Sequence, residues 1–121
     1  MIKKLICSLF IGGCSIVFAG NTPGDVNFGL DASPDNHAYK FRLVVNGGPT
    51  TFPTACVAPN TGIAQALSQG AIGARNARLT VQASDCMQSQ DTWTTLNGYL
   101  DYDSSYWYNL YVNMDTNSFH S

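Results

Sequence analysis

The chain reads as a mainly β domain with one helix, exported from the cytoplasm and held by one disulfide. Three features of the sequence predict this. Apolar and polar residues alternate in short runs such as HAYKFRLVVN (37–46) and YWYNLYVN (106–113), which is the period of a half-buried strand. Turn-forming pairs, Asn46-Gly47 and Asn97-Gly98 among them, separate those runs. Charge is sparse, with 6 Lys and Arg against 8 acids that are all Asp, while Thr, Ser, Asn, Gly and aromatic residues abound, so long helices are disfavoured.

The N-terminus sets the compartment. Lys3 and Lys4 precede an apolar run from Leu5 to Ala19, and Val17-Phe18-Ala19 suits a signal-peptidase site, so residues 1–19 read as a signal peptide. That run is too short for a membrane span, and the mature chain is expected not to cross a membrane. Ile11-Gly12-Gly13-Cys14 loosely matches a lipobox, which makes a lipoprotein anchored at Cys14 the alternative. Cleavage after Ala19 leaves residues 20–121 as a single small β-rich domain, periplasmic or secreted.

In that domain Lys40, Arg42, Arg75 and Arg78 face eight Asp, a balance that argues against nucleic acid and anionic membrane surfaces as partners. Cys7 and Cys14 leave with the signal peptide, and the remaining pair, Cys56 and Cys86, reads as a disulfide. Closing a loop of about thirty residues stabilises the fold by roughly 3 to 4 kcal/mol. The cysteine spacing fits no zinc pattern, and no metal or other cofactor is expected.

The elements follow in order. NTPGD (21–25) is a turn-rich leader, and Val26, Phe28 and Leu30 alternate as a first strand that DASPDN (31–36) breaks. In 37–46, Tyr39, Phe41, Leu43 and Val45 point inward, with Lys40 and Arg42 outward. NGGP (46–49) ends that strand, because Gly supplies positive φ and Pro lacks the ladder donor. Phe52 to Val57 is expected to pair back as a short strand carrying Cys56, although Pro53 interrupts it.

From Asn60 or Thr61 the period changes. Ile63, Ala66, Leu67, Gly70, Ala71 and Ala74 fall on one helical face of small residues, suited to close packing on a sheet, with Asn76 as the stop. ARLTVQASDC (77–86) returns to strand period with Leu79, Val81 and Ala83 inward. Around Asn97-Gly98 a hairpin is expected, in which Leu96 opposes Tyr99, Thr95 opposes Leu100 and Trp93 opposes Tyr102. The last strand places Tyr106, Tyr108, Leu110, Val112 and Met114 on a core face and Trp107, Asn109, Tyr111 and Asn113 on the other.

Catalytic chemistry is hard to build from these residues. His37 stands two positions from Asp35 in a turn, which gives no triad geometry, and His120 is one residue from the end of the sequence and expected to fray. No G-x-S-x-G motif occurs, so no catalytic residue is assigned. Asp101 and Asp103, with Asp91, could meet a hard cation but read more simply as a solvated turn. Arg75 and Arg78 suit the end of the expected helix. Trp107 and Tyr111, about 13 Å apart along one strand face, with Asn109 and Asn113 between and beyond them, form a candidate ligand platform. The same rings would be core under a helix, or an oligomer contact at a sheet edge.

Strands interrupted by one helix look like a small OB-type barrel. The run ACVAPNTGIAQALSQGAIGARNARLTVQASDC (55–86) resembles in layout the B subunits of pentameric bacterial toxins of the pertussis and subtilase type. The likeness spans about residues 39–102 and rests on element order, so no sugar-contacting residue transfers by position. It implies an OB-like barrel, glycan binding and a homo-oligomer. The alternative architecture is a small β-sandwich with one packed helix. Together these readings describe a small exported, non-catalytic binding or interaction protein whose partner is a protein or a glycan. A structural or assembly subunit of a surface or secreted complex is the second class, and a small hydrolase using His37 with an Asp the third.

Overall fold

The computed structural model describes Ile16, residues 21–60 and residues 66–121. Apart from Ile16, the expected signal peptide, its cleavage at Ala19 and the alternative anchor at Cys14 lie outside the described residues. In chain order the elements are β1 (Val26–Ala32), β2 (Tyr39–Val45), β3 (Ala66–Leu67), the single turn α1 (Gln69–Ile72), β4 (Asn76–Asp85), β5 (Thr94–Thr95), β6 (Leu100–Asp103), β7 (Tyr108–Asn113) and β8 (Ser118–His120). The mainly β composition with one helix is as expected.

Two sheets form. The first has the order β3-β1-β7-β8, and its central pair β1–β7 is parallel, with Phe28 opposite Leu110 and Leu30 opposite Val112. In the second, β4 pairs antiparallel with β2 along one side and with β5 and β6, placed end to end, along the other. The sheets do not close on one another, so the expected OB-like barrel gives way to the sandwich alternative. A closed barrel needs continuous pairing around its circumference, and here the named strands divide into two separate ladders.

Alternation explains which side of each strand enters the space between the sheets. Val26, Phe28 and Leu30 of β1 and Leu110 and Val112 of β7 are almost fully buried from one side, as are Phe41, Leu43, Leu79, Val81 and Ala83 from the other. Phe28 and Phe41 meet across the two sheets as stacked rings with centroids 5.2 Å apart. Tyr102 enters the same core with its ring, while its hydroxyl donates to the Gly24 carbonyl at 2.6 Å, so the polar tip is not left unmatched.

The segment expected as a third strand, Phe52 to Val57, is a strap instead. Two residues of β2 are matched by three of the strap, so a regular ladder cannot form. The Thr51 N–H donates to the Leu43 carbonyl at 2.9 Å, and the Leu43 N–H donates back to the Thr51 hydroxyl at 3.0 Å. Thr54 repeats this with Phe41, at 2.8 and 3.0 Å, and Val57 exchanges both backbone bonds with Tyr39. Side-chain hydroxyls thus replace strap carbonyls as acceptors, and Pro53 falls between the contacts, where its missing donor costs nothing. The strap protects the outer edge of β2, and the Cys56–Cys86 disulfide, with Cα atoms 6.3 Å apart, ties its end to the end of β4.

Two further expectations fail. The helical face beginning at Asn60 is broken: residues 61–65 lie outside the described set, Ala66 and Leu67 pair with β1, and α1 is only four residues long. Ser68 caps α1 and Gly73 stops it at φ 75°, so the local stop signals come earlier than Asn76. The hairpin at Asn97-Gly98 is also absent, because β5 and β6 each pair with β4 and not with one another. A type I′ turn needs positive φ at both central residues, and Gly98 has it while Asn97 does not. The Asn97 N–H donates instead to the Asn117 carbonyl at 2.8 Å, which carries the chain toward the first sheet beside β8.

Candidate functional site

The expected platform residues differ in how they are held. Asn109, Tyr111 and Asn113 lie on β7 and are half-buried, whereas Trp107 precedes the strand and is 47% exposed. Asn109 accepts through Oδ1 from the Asn27 side-chain amide at 2.9 Å, and Asn113 Oδ1 accepts from the backbone N–H groups of Asp115 and Thr116. The Tyr111 ring stacks on His120 at 5.2 Å, its cross-strand partner on β8. His120 therefore belongs to a strand and is not a frayed end. Of these four platform residues, Trp107 is the most open to solvent.

Tyr106, expected in the core, joins Trp107 outside and is 62% exposed. The reason is local: the turn after β6 has not yet returned to strand geometry at that residue. Asp103 organises this turn, its Oδ1 accepting from the Ser105 N–H at 2.9 Å and its carbonyl from the Tyr106 N–H at 3.1 Å. On the other side the Tyr106 carbonyl accepts from the Gly24 N–H at 2.7 Å. Gly24 sits at φ 93°, and a Cβ there would lie 2.9 Å from Gln69 Cβ, so this close approach requires glycine. Two broad rings are consequently presented to solvent on a backbone fixed at both ends.

The outward side of the second sheet carries a different set. Lys40 pairs with Asp91 at 2.7 Å, and Arg78 pairs with Asp101 at 3.2 Å while its guanidinium lies 3.9 Å from the centre of the Tyr99 ring. Between them Arg42 lies 4.1 Å from the centre of the Trp93 ring. Trp93 thus meets an outward arginine and not Tyr102 as the hairpin register implied. Arg78 lies within β4 and complements no helix end. These aspartates are held by cations or turn donors, and among the described residues no group of three or more His, Cys, Asp or Glu side chains is placed to hold a metal.

His37 finds its acid elsewhere in the fold. Its Nδ1 lies 2.7 Å from Asp85 Oδ2, at the end of β4, and not against Asp35. That hydrogen bond raises the imidazole above its ordinary value of 6.5 against the opposing effect of burial. For Asp85, burial pushes the carboxyl upward, but the hydrogen bonds from His37 and from the Met87 N–H outweigh it and hold the group below the ordinary 3.8. Ser33, the nearby hydroxyl, donates to the His37 carbonyl at 2.6 Å, so it is engaged with backbone and not with the imidazole.

An open cleft of about 490 Å³ lies between the turn after β2 and α1, walled by Val45, Thr50, Ile72 and Ala74 with no charged side chain. Among the described residues no helix is long and apolar enough to cross a membrane. In comparisons with known proteins, no family model, no curated protein and no solved structure matches this chain.

Proposed function

We propose that the protein is an exported, disulfide-bonded binding module that engages its partner through Tyr106 and Trp107 and leaves it chemically unchanged. The pinned turn that exposes these two rings carries the reading. Large rings leave water favourably, by about 25 cal/mol per Å² buried, and rings carried on a backbone that is already pinned require no ordering of the turn on binding. The core between the sheets is filled without them. Asp103, Ser104 and Ser105 place a carboxylate and two hydroxyls beside the rings, a mixture that suits a glycan, with a sugar's C–H face on Trp107 and its hydroxyls on the turn. Export is supported by the disulfide and by the signal-like N-terminus. A glycan array probed with the mature protein tests this. Binding that Trp107→Ala abolishes is the expected result, and an array with no signal, or one unchanged by Trp107→Ala, overturns the glycan assignment.

A second reading, an assembly subunit, has its own observation. Phe52 on the strap is 88% exposed and Met87, next to the disulfide, is 71% exposed, both on the second sheet's side of the molecule. Apolar side chains left so open favour a contact with another chain. Light scattering after size exclusion checks it: a defined oligomer that Phe52→Asp dissociates supports an assembly role, and a monomer at high concentration removes it.

A further inference from the structure

A row of hydrogen bonds crosses the outward face of the second sheet with a single polarity. Arg42 on β2, Gln82 on β4 and Thr95 on β5 are register partners, so their side chains stand side by side. Arg42 Nε donates to Gln82 Oε1 at 2.8 Å, and Gln82 Nε2 donates to Thr95 Oγ1 at 3.1 Å. Chemistry fixes these directions. A guanidinium can only donate, so the amide must turn its oxygen to Arg42 and its nitrogen to Thr95. The threonine hydroxyl, having accepted, keeps its own proton to give away. With Trp93 lying against the guanidinium, the two Nη groups of Arg42 are held in a defined plane. At both ends, then, the row offers donors and asks for acceptors.

Charge narrows the acceptor. On the same face Lys40 is neutralised by Asp91 and Arg78 by Asp101, whereas Arg42 has no carboxylate partner among the described residues. The residues outside the described set contain no Asp or Glu. One unmatched guanidinium flanked by two neutral pairs suits a single negative charge and disfavours a polyanion, which would meet Asp91 and Asp101 on either side. Sulfate-rich and nucleic-acid chains are therefore poor fits.

We propose that Arg42, seated on Trp93 and joined through Gln82 to Thr95, is a binding site for one carboxylate group on a small ligand or ligand terminus. The carboxylate takes the two Nη groups as a fork. Thr95, two strand spacings away or roughly 10 Å, donates to a second acceptor when the ligand reaches that far. The site is on the other sheet from β7 and does not depend on Tyr106 or Trp107 acting as a platform.

The test uses the full mature chain labelled with nitrogen-15, following the Trp93 indole N–H and the Arg42 Nε–H. Four probes are titrated: glucuronate against glucose, and N-acetylglycine against N-acetylglycinamide. The expected result is saturable movement of both signals with one or both carboxylates, at dissociation constants on the order of millimolar as suits one fork, and none with the neutral partners. Preference for glucuronate assigns a sugar acid, and preference for N-acetylglycine assigns a peptide terminus. Arg42→Gln should weaken the response at least tenfold and Arg42→Lys several-fold, because lysine keeps the charge but not the fork. Thr95→Val, a substitution at an exposed position, should leave the N-acetylglycine response unchanged, because that probe is too short to span both groups. If Arg42→Gln does not fold, Arg42→Lys and the neutral probes decide. No movement with either carboxylate up to about 100 mM, equal movement with the neutral probes, or an undiminished response in a folded Arg42 variant overturns the site.

Discussion

The first sheet is centred on a pairing between the two ends of the described chain, and the second on pairings within its middle, reinforced by a covalent tie. In the first, β1 and β7 run parallel although Asn27 and Asn109, which touch across them, are 82 positions apart. In the second, β2 and β4 pair antiparallel through seven register partners, the strap closes the β2 edge, and Cys56–Cys86 locks the strap. Both sheets fill the same core by the same alternation. What differs is how each secures its strands, and local reinforcement gathers where a strand would otherwise stand at an exposed edge.

The comparison is broken most strongly at the point the sheets share. Phe41→Ala removes the ring stacked on Phe28 and leaves a cavity between the sheets, with an expected loss of about 3 to 5 kcal/mol. Urea unfolding gives the magnitude, and hydrogen exchange shows whether β1 and β7 lose protection together with β2 and β4. Protection lost in the second sheet alone would mean that the two do not unfold as one unit.

Removing the tie separates them. Cys56→Ser with Cys86→Ser is expected to cost about 3 kcal/mol for a loop of this length, with exchange accelerating first in Tyr39–Val45. Equal acceleration along Val26–Ala32 would contradict a local role for the disulfide.

Thr54→Val keeps the shape of the strap but deprives the buried Phe41 N–H of its acceptor, at about 1 to 3 kcal/mol. Thr51→Val should act likewise on Leu43. Chemical denaturation of each variant measures the effect, and stability within error of the native protein would show that the hydroxyls are dispensable.

The smallest expected effect is the pH dependence of the His37–Asp85 pair, which joins the start of β2 to the end of β4. The hydrogen bond to Asp85 raises His37, so its contribution is complete below the ordinary 6.5 and disappears as pH rises through the raised value. Asp85, pushed up by burial but lowered on balance by its hydrogen bonds, contributes above the ordinary 3.8 and loses this as pH falls through the lowered value. Stability from the pair therefore peaks between those two ordinary values. Melting temperature against pH should show this component in the native protein and lose it in His37→Gln. An unchanged profile in the variant would remove the pair as its source.

Much of the inward-facing set was legible, because facing is a property of the pleat. Phe41, Leu43, Leu79, Val81, Ala83, Leu110 and Val112 alternate with polar neighbours and are buried as that period requires. The disulfide followed from the pair of cysteines left after the two in the expected signal peptide. Misreadings arose where a local signal had a distant competitor. Ala66 and Leu67 fit a helical face but are taken by the edge of β1, and Asn97-Gly98 has hairpin chemistry but is drawn to Asn117. For the candidate sites, Trp107 was visible as a platform ring, although it was expected on the last strand and stands just before it, whereas Arg42 on Trp93 was not visible. Those two residues meet because both stand on strands that flank β4 or lead into one.

Sequence alone determined the strand-rich character and the inward residues of most strands, which follow from short-range period, and it pointed to the pairing of Cys56 with Cys86 once Cys7 and Cys14 were read as part of a signal peptide. Tertiary structure decided that β1 lies parallel to β7, that β5 and β6 share one side of β4, and that a threonine strap and not a strand guards β2. The physical reason is that a strand's own residues specify which side is apolar, while the choice of neighbour depends on which distant edge offers matching donors, acceptors and volume once the core has formed.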